Sequence, residues 1–331
     1  MKHSTFLICR RKRSTKAKIE TLEPRTADSE LTEFTVETAT FVAFLEGPTV
    51  DADGSVYFSD IRGNKIMRML PDGSTSVFRE NAGRANGNVF DRRGRLVTCE
   101  GAEHGPNGRR RVTRTDLATG EVTVIADSYG GRRFNSPNDV TVDTRGRLYF
   151  TDPRYDLDRS DLELDTEGVY RVDTDGSISR IIGQPEVQRP NGIAVAPDDR
   201  LIYVIDSHPE VGANRKIWAF ELDESGEPTS QRLIYDFAPG RGGDGMELDV
   251  EGNLYVCAGI RTPRGPGETN LFSPGVYVIT PTGELSSHIP IPQDVITNCC
   301  FGGGDMRTLF VTAGHTLYRT RVEIPGYHVF P

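Results

Sequence analysis

Polar and apolar residues alternate along this chain in short bursts that recur. In Phe134–Tyr155, FNSPNDVTVDTRGRLYFTDPRY, a polar turn leads into Val140-Thr141-Val142, then Asp143-Thr-Arg-Gly146, then LYFTD. Val140 and Val142 point one way and Thr141 the other, the two-residue period of a half-buried strand. Gly146 suits the tight turn between two such strands, where positive φ is needed. The same unit recurs as Ala52-Asp-Gly54 before SVYFSD and Asp91-Arg-Arg-Gly94 before RLVTCE. It returns as Pro197-Asp-Asp199 before RLIYVID and Asp249-Val-Glu-Gly252 before NLYVCA, with a weaker copy at Phe301–Gly314. Roughly six all-strand units of about 50 residues predict an all-β fold, a six-bladed β-propeller.

Blade one is expected over Glu46–Phe78, two over Asn86–Ala126, three over Asn138–Ile182, four over Asn191–Phe237, five over Asp244–Ile289 and six over Asn298–Ile324. The alternating stretch Leu31–Leu45 is expected to supply a strand that closes the ring against the last blade, removing open sheet edges. Residues 1–30, opening MKHSTFLICRRKRSTKAKIE, read as a flexible basic extension, and 31–331 as a single propeller domain. Insertions between the first and second strands of the blades are expected to shape a rim: Glu100–Arg110, Pro153–Glu167, His208–Arg215 and Gly259–Gly275.

Composition narrows the function. A net charge of −9 argues against a nucleic-acid surface and suits a protein that holds a cation. No apolar run is long enough for a membrane span. The run Phe6–Cys9, broken by Arg10–Arg13, is too short for a signal-peptide core, so a cytoplasmic location is expected. The 5 cysteines show no metal-ligand spacing and no disulfide framework. Gly240-Arg-Gly242-Gly243-Asp-Gly245 satisfies GxGxxG but lacks the βαβ context of a dinucleotide site. No GxSxG nucleophile turn is present.

The chemistry lies just before the first strand of each unit, at Glu46, Asn86, Asn138, Asn191, Asp244 and Asn298, separated by 40, 52, 53, 53 and 54 residues. A propeller's innermost strands line its central channel, so equivalent positions converge on one axis. Two carboxylates and up to four amide oxygens around one point favour a hard cation, Ca²⁺ first. Zinc would prefer histidine or cysteine. Turn formation alone accounts for repeated asparagines. It does not account for Glu46 and Asp244 at the same phase, where two anions repel unless a cation or proton intervenes.

The EGP at Glu46, NSPND around Asn138 with the following YFTDP, PNGIA at Asn191 and DGM at Asp244 resemble the gluconolactonase/regucalcin (senescence marker protein)/luciferin-regenerating superfamily over about residues 40–325, in its bacterial gluconolactonase form. The resemblance implies a six-bladed propeller with one divalent ion at the channel mouth, usually calcium; Zn²⁺, Mn²⁺ or Mg²⁺ are alternatives. It implies Glu46, Asn191 and Asp244 as direct metal ligands, with Asn138 a ligand or a contact to water or substrate. It makes Asp244 the general base or nucleophile. Ser136 replaces an arginine of regucalcin-like members, removing one substrate contact. His104 stands beside Glu103 and after Glu100, either of which matches the glutamate of a family Glu-His pair; His104 and His208 are candidate substrate contacts. Asp152 and Asp206, which end their strands, read as structural.

The expected activity is opening of a sugar lactone such as gluconolactone, by a base acting on a metal-associated water. The alternatives are a phosphotriesterase-like hydrolase on the same metal site and a non-catalytic calcium-stabilised scaffold. A small-molecule lactone partner and a monomeric or homodimeric state are expected.

Overall fold

Short strands whose side chains are buried on both faces need sheets stacked on either side of them. In the computed structural model, which describes residues 35–330 apart from 42, 43 and 106, six four-stranded antiparallel sheets meet that need. Blade one comprises Leu45–Val50, Val56–Asp60, Lys65–Met69 and Thr75–Glu80, hydrogen-bonded in chain order. Blades two to five repeat the plan. Second strands such as Val56–Asp60 and Leu148–Asp152 are buried at every residue, whereas the outer strand Thr75–Glu80 has no fully buried residue. The core is accordingly a set of layers between neighbouring blades. Ile205, Ile217 and Phe237 of blade four pack with Met246, Leu254 and Tyr277 of blade five in one such layer. Six blades form a propeller, as the repeats predict.

Blade six draws three strands from the C-terminal part, Ile296–Gly302, Thr308–Ala313 and Thr316–Arg321. Its fourth is Glu37–Phe41 from the N-terminal side, antiparallel to Thr316–Arg321 with Glu37 opposite Arg319. The closing strand expected within Leu31–Leu45 is thus present. It ties the two ends of the ring together by backbone hydrogen bonds and covers an edge that would otherwise be open. The basic arm, residues 1–30, lies outside the described residues.

Each inner strand runs away from the channel mouth, turns, and returns as the second strand. The Asp-x-x-Gly turns therefore lie at the far face. The rim insertions follow the second strand, not the first: Glu100 is bridged to Arg111, Asp152 to Gly168, Ser207 to Arg215 and Ala258 to Gly275 across them. The expected order was off by one strand, because two short strands and a tight turn form a single hairpin that the insertion can only follow.

Candidate functional site

Neighbouring inner strands are linked by one repeated hydrogen bond, which sets their phase. Gly87 N donates to Asn138 O, Gly192 N to Asp244 O, and Gly245 N to Thr297 O. The blade-six counterpart of Asn138 and Asp244 is therefore Thr297, not Asn298. The separation of 54, after 52, 53 and 53, was the trace of this one-residue slip. Thr297 spends its hydroxyl on the backbone carbonyl of Leu45 (2.8 Å) and on Thr312. It presents no oxygen to the pocket, so blade six contributes none to the ring.

The other five ring residues do come together. Glu46, Asn86, Asn138, Asn191 and Asp244 all line one pocket of about 190 Å³ at the channel mouth. Irregularities in the inner strands aim them there: strand register shifts between Glu46 and Thr49, between Ala85 and Asn88, and between Pro190 and Ile193. A bulge of this kind turns a side chain out of the sheet's alternation. The next residue must be small where strands crowd the axis. A side-chain carbon on Gly87 would lie 2.5 Å from Asp139 Oδ1, and one on Gly245 would overlap the Asn298 amide. Only blades three and six carry a side chain at that level, Asp139 and Asn298.

Two carboxylates end second strands and hold the segments that enter the next inner strand. Asp152 accepts from the backbone N–H of Asn135 (2.8 Å) and Ser136 (2.7 Å), just before Asn138. Asp206 accepts from Gln188 (3.0 Å) and Arg189 (2.8 Å), just before Asn191. They are structural, as expected, but as clamps on the ring asparagines. Ser136, at the position of the absent arginine, receives the Ala102 N–H on its hydroxyl at 2.9 Å and so ties the blade-two rim loop to the ring.

Electrostatics at the mouth follow from two buried acids facing one space. Burial, then Asp244, then Asp139 push Glu46 well above the usual carboxylate range. Burial also raises Asp244, against the opposing pull of Arg241 and Arg264. Arg241 donates to Asp244 Oδ2 and, at 2.9 Å, to the carbonyl of Ile296. The Asn191 amide donates to Tyr155 Oη at 3.0 Å, and Tyr155 Oη donates to the carbonyl of Ser207 at 3.2 Å. A half-turn of that amide would present its oxygen to the pocket instead. The donor set is thus two acids and neutral amides, all oxygen, with no histidine or cysteine among them. It fits a hard divalent cation better than zinc.

The rim loop of blade two settles which glutamate stands with His104. Glu100 is fully buried and faces away from the pocket, ion-paired with Arg79, Arg109 and Arg111. Arg110, between Arg109 and Arg111, pairs instead with Asp161. Glu103 and His104 both line the pocket. Glu103 accepts from Tyr155 N at 3.0 Å, and burial followed by Asp156 pushes its carboxyl up to about 7. His104 has φ of 63° and rests on Phe44, ring centres 4.9 Å apart. Burial and then Arg62 lower its pKa, which keeps the imidazole neutral near pH 7. His208 does not join them. It faces a separate outer recess with Gln184 and Gln188, its Nδ1 accepting from Glu210 N at 3.3 Å.

Tyr155, Arg215, Arg241, Arg264 and Glu268 also line the pocket, and sequence reasoning passed over them. Tyr155 ends the YFTDPRY stretch, and Arg241 sits inside the discounted glycine-rich run. Its glycines serve close packing: a side-chain carbon on Gly243 would lie 2.9 Å from Val256 Cγ1.

The far end of the channel is acidic as well. Burial, then Asp139, push Glu247 up to about 8, and burial pushes Asp139 up to about 7. Their ordinary values are near 4. Between these limits the folded state binds more protons than the unfolded chain, so stability falls as pH rises. His328, also at that end, is lowered by burial and works in the opposite sense only below its ordinary value of about 6.5. In chelator, the melting temperature is expected to drop between about pH 6.5 and 8, as followed by calorimetry. A Glu247→Gln variant should flatten that slope, and an unchanged slope would locate the protons elsewhere.

Six blades around a channel, with buried acids and amides converging at one mouth, define a propeller with a polar small-molecule site on its axis. The chain belongs to the SMP-30/gluconolactonase/LRE-like family, whose model matches residues 44–315. It is 34% identical over 309 residues to a gluconolactonase of Zymomonas mobilis, covering 87% of this chain and 81% of that protein. A 6-deoxy-6-sulfogluconolactonase of Pseudomonas putida is 26% identical over 294 residues, 82% of this chain and 88% of the relative. Among solved structures, a gluconolactonase from Xanthomonas campestris superposes with a TM-score of 0.74 at 30% identity, covering 89% and 91% of the two chains. Among the described residues no helix is long and apolar enough to cross a membrane.

Proposed function

We propose that this chain is a lactonase that opens a sugar lactone such as gluconolactone to its hydroxy acid, with a divalent cation, calcium first, at the channel mouth. The observation that carries the reading is the meeting of Glu46 and Asp244, far apart in sequence, in one pocket with the amides of Asn138 and Asn191. The two gluconolactonases named above support the activity, since they match this chain over most of its length.

Glu46, Asn138, Asn191 and Asp244 would hold the cation through oxygen. When bound, the cation supplies Lewis-acid polarisation of the lactone carbonyl. Asp244, whose Oδ2 is held by Arg241, accepts a proton from the attacking water. Glu103, poised near neutrality, supplies the proton that the ring oxygen takes as the acyl C–O bond breaks. Neutral His104, beside it, accepts a hydrogen bond from a sugar hydroxyl. Asn138 orients substrate or water over the ring.

The reading is tested by proton release from a panel of aldonolactones with calcium, manganese, zinc or chelator. Turnover should vanish in chelator and return with calcium. Tight calcium binding without opening of any lactone would reject it.

A further inference from the structure

One sector of the pocket wall, built by blades four and five, is basic. Arg215, Arg241 and Arg264 line it. Two of these have a carboxylate already. Arg241 is paired with Asp244. Arg264 holds Glu268 through two bonds, Nη2–Oε1 at 2.7 Å and Nε–Oε2 at 3.3 Å. Arg215 does not. It is 3% exposed, and its hydrogen bonds go to the backbone carbonyls of Asn214 (3.3 Å) and Gly267 (3.0 Å). Among the described residues no carboxylate lies within ion-pair distance of it.

The carboxylate that acts most on Arg215 is Glu268, whose oxygens are already held by Arg264. A buried guanidinium with no ion pair of its own is costly and attracts an anion. Its planar fork matches the paired oxygens of a carboxylate, phosphate or sulfonate. Two of its five N–H donors are used by the two carbonyls, so donors remain. The bond to Gly267 also fixes the guanidinium against the blade-five insertion that carries Arg264. Burial lowers the pKa of Arg215 from the ordinary arginine value, yet an arginine so placed stays protonated at neutral pH. A neutral sugar lactone offers no partner for this charge. A lactone with a second, anionic group offers one.

We propose that the substrate is an anionic sugar lactone, whose carboxylate, phosphate or sulfonate is bound by Arg215 with help from Arg264 while its lactone carbonyl faces Glu46 and Asp244. The proposal rests on the lactonase reading above.

Its test compares kcat/KM, with calcium present, for neutral glucono-1,5-lactone, 6-phosphoglucono-1,5-lactone, the 6-sulfonate analogue and glucaro-1,4-lactone. At least one anionic lactone should exceed the neutral one by about tenfold or more, mainly through KM. That advantage should shrink as salt rises from 0.05 to 0.5 M. Arg215→Gln should lower the anionic-to-neutral ratio by about tenfold, with the melting temperature read alongside. If Arg215→Gln does not fold, Arg264→Gln reads the same ratio on an exposed side chain. Comparable kcat/KM for neutral and anionic lactones, or a ratio untouched by the variants, overturns this proposal and leaves the lactonase reading standing. Failure to open any of the lactones overturns both.

Discussion

Asp244→Asn is expected to lower kcat for lactone opening by about a thousandfold or more and to weaken calcium binding by about a hundredfold. The substitution keeps size and an acceptor for Arg241, so the guanidinium retains a hydrogen bond. It removes one of the two carboxylates of the ring and, with it, part of what raises Glu46. Glu46 should then ionise more readily in the metal-free protein. Calorimetric titration with calcium, run beside the proton-release assay, separates lost binding from lost chemistry. Saturating calcium that restores near-normal kcat would show that Asp244 is a ligand alone. Activity within tenfold of the parent, with affinity unchanged, would remove it from the site.

Glu100→Ala is expected to destabilise the protein by about 3–5 kcal/mol, because it strips the carboxylate from a buried ion-pair cluster. Glu100 is fully buried, and Arg79, Arg111 and Thr113 all bond to it. Without it Arg79, nearly buried itself, keeps only Thr115 and the carbonyl of Ala82. The melting temperature should fall by about 5–15 °C, and the folded fraction should keep kcat within about twofold at low temperature. Glu103→Gln should do the reverse, with little change in melting and a clear fall in kcat. If Glu100→Ala instead loses activity at unchanged stability, the functional roles of the two glutamates are exchanged.

Much of the site was legible because the blades repeat. The spacing of Asn86, Asn138, Asn191 and Asp244 is enough by itself to bring these residues onto one axis. Glu46 stood out as a carboxylate where its repeats carry asparagine. Blade six broke the scheme because its polar residue belongs to the level below the ring, a slip of one residue that a repeat with 54 in place of 53 barely registers. His104 was legible as a candidate and does reach the pocket. His208 looked equivalent, since both follow strand ends, but its loop carries it outward. The arginines were not legible at all. Arg215 begins a third strand, Arg241 precedes a ring residue by a turn and Arg264 lies within a Gly/Pro-rich insertion, so no period relates them.

The sequence alone determined the propeller, the strand that closes it and the acidic and amide ring, since each follows from local alternation and from a period long enough to count. Tertiary structure alone decided which side chains surround that ring, where Glu100 parts from Glu103, and that Arg215 is left without an anion of its own. The physical reason is that strand periodicity encodes direction toward the axis. The rim is made of insertions whose conformations depend on contacts with other insertions, such as Arg215 with Gly267 and Tyr155 with Glu103.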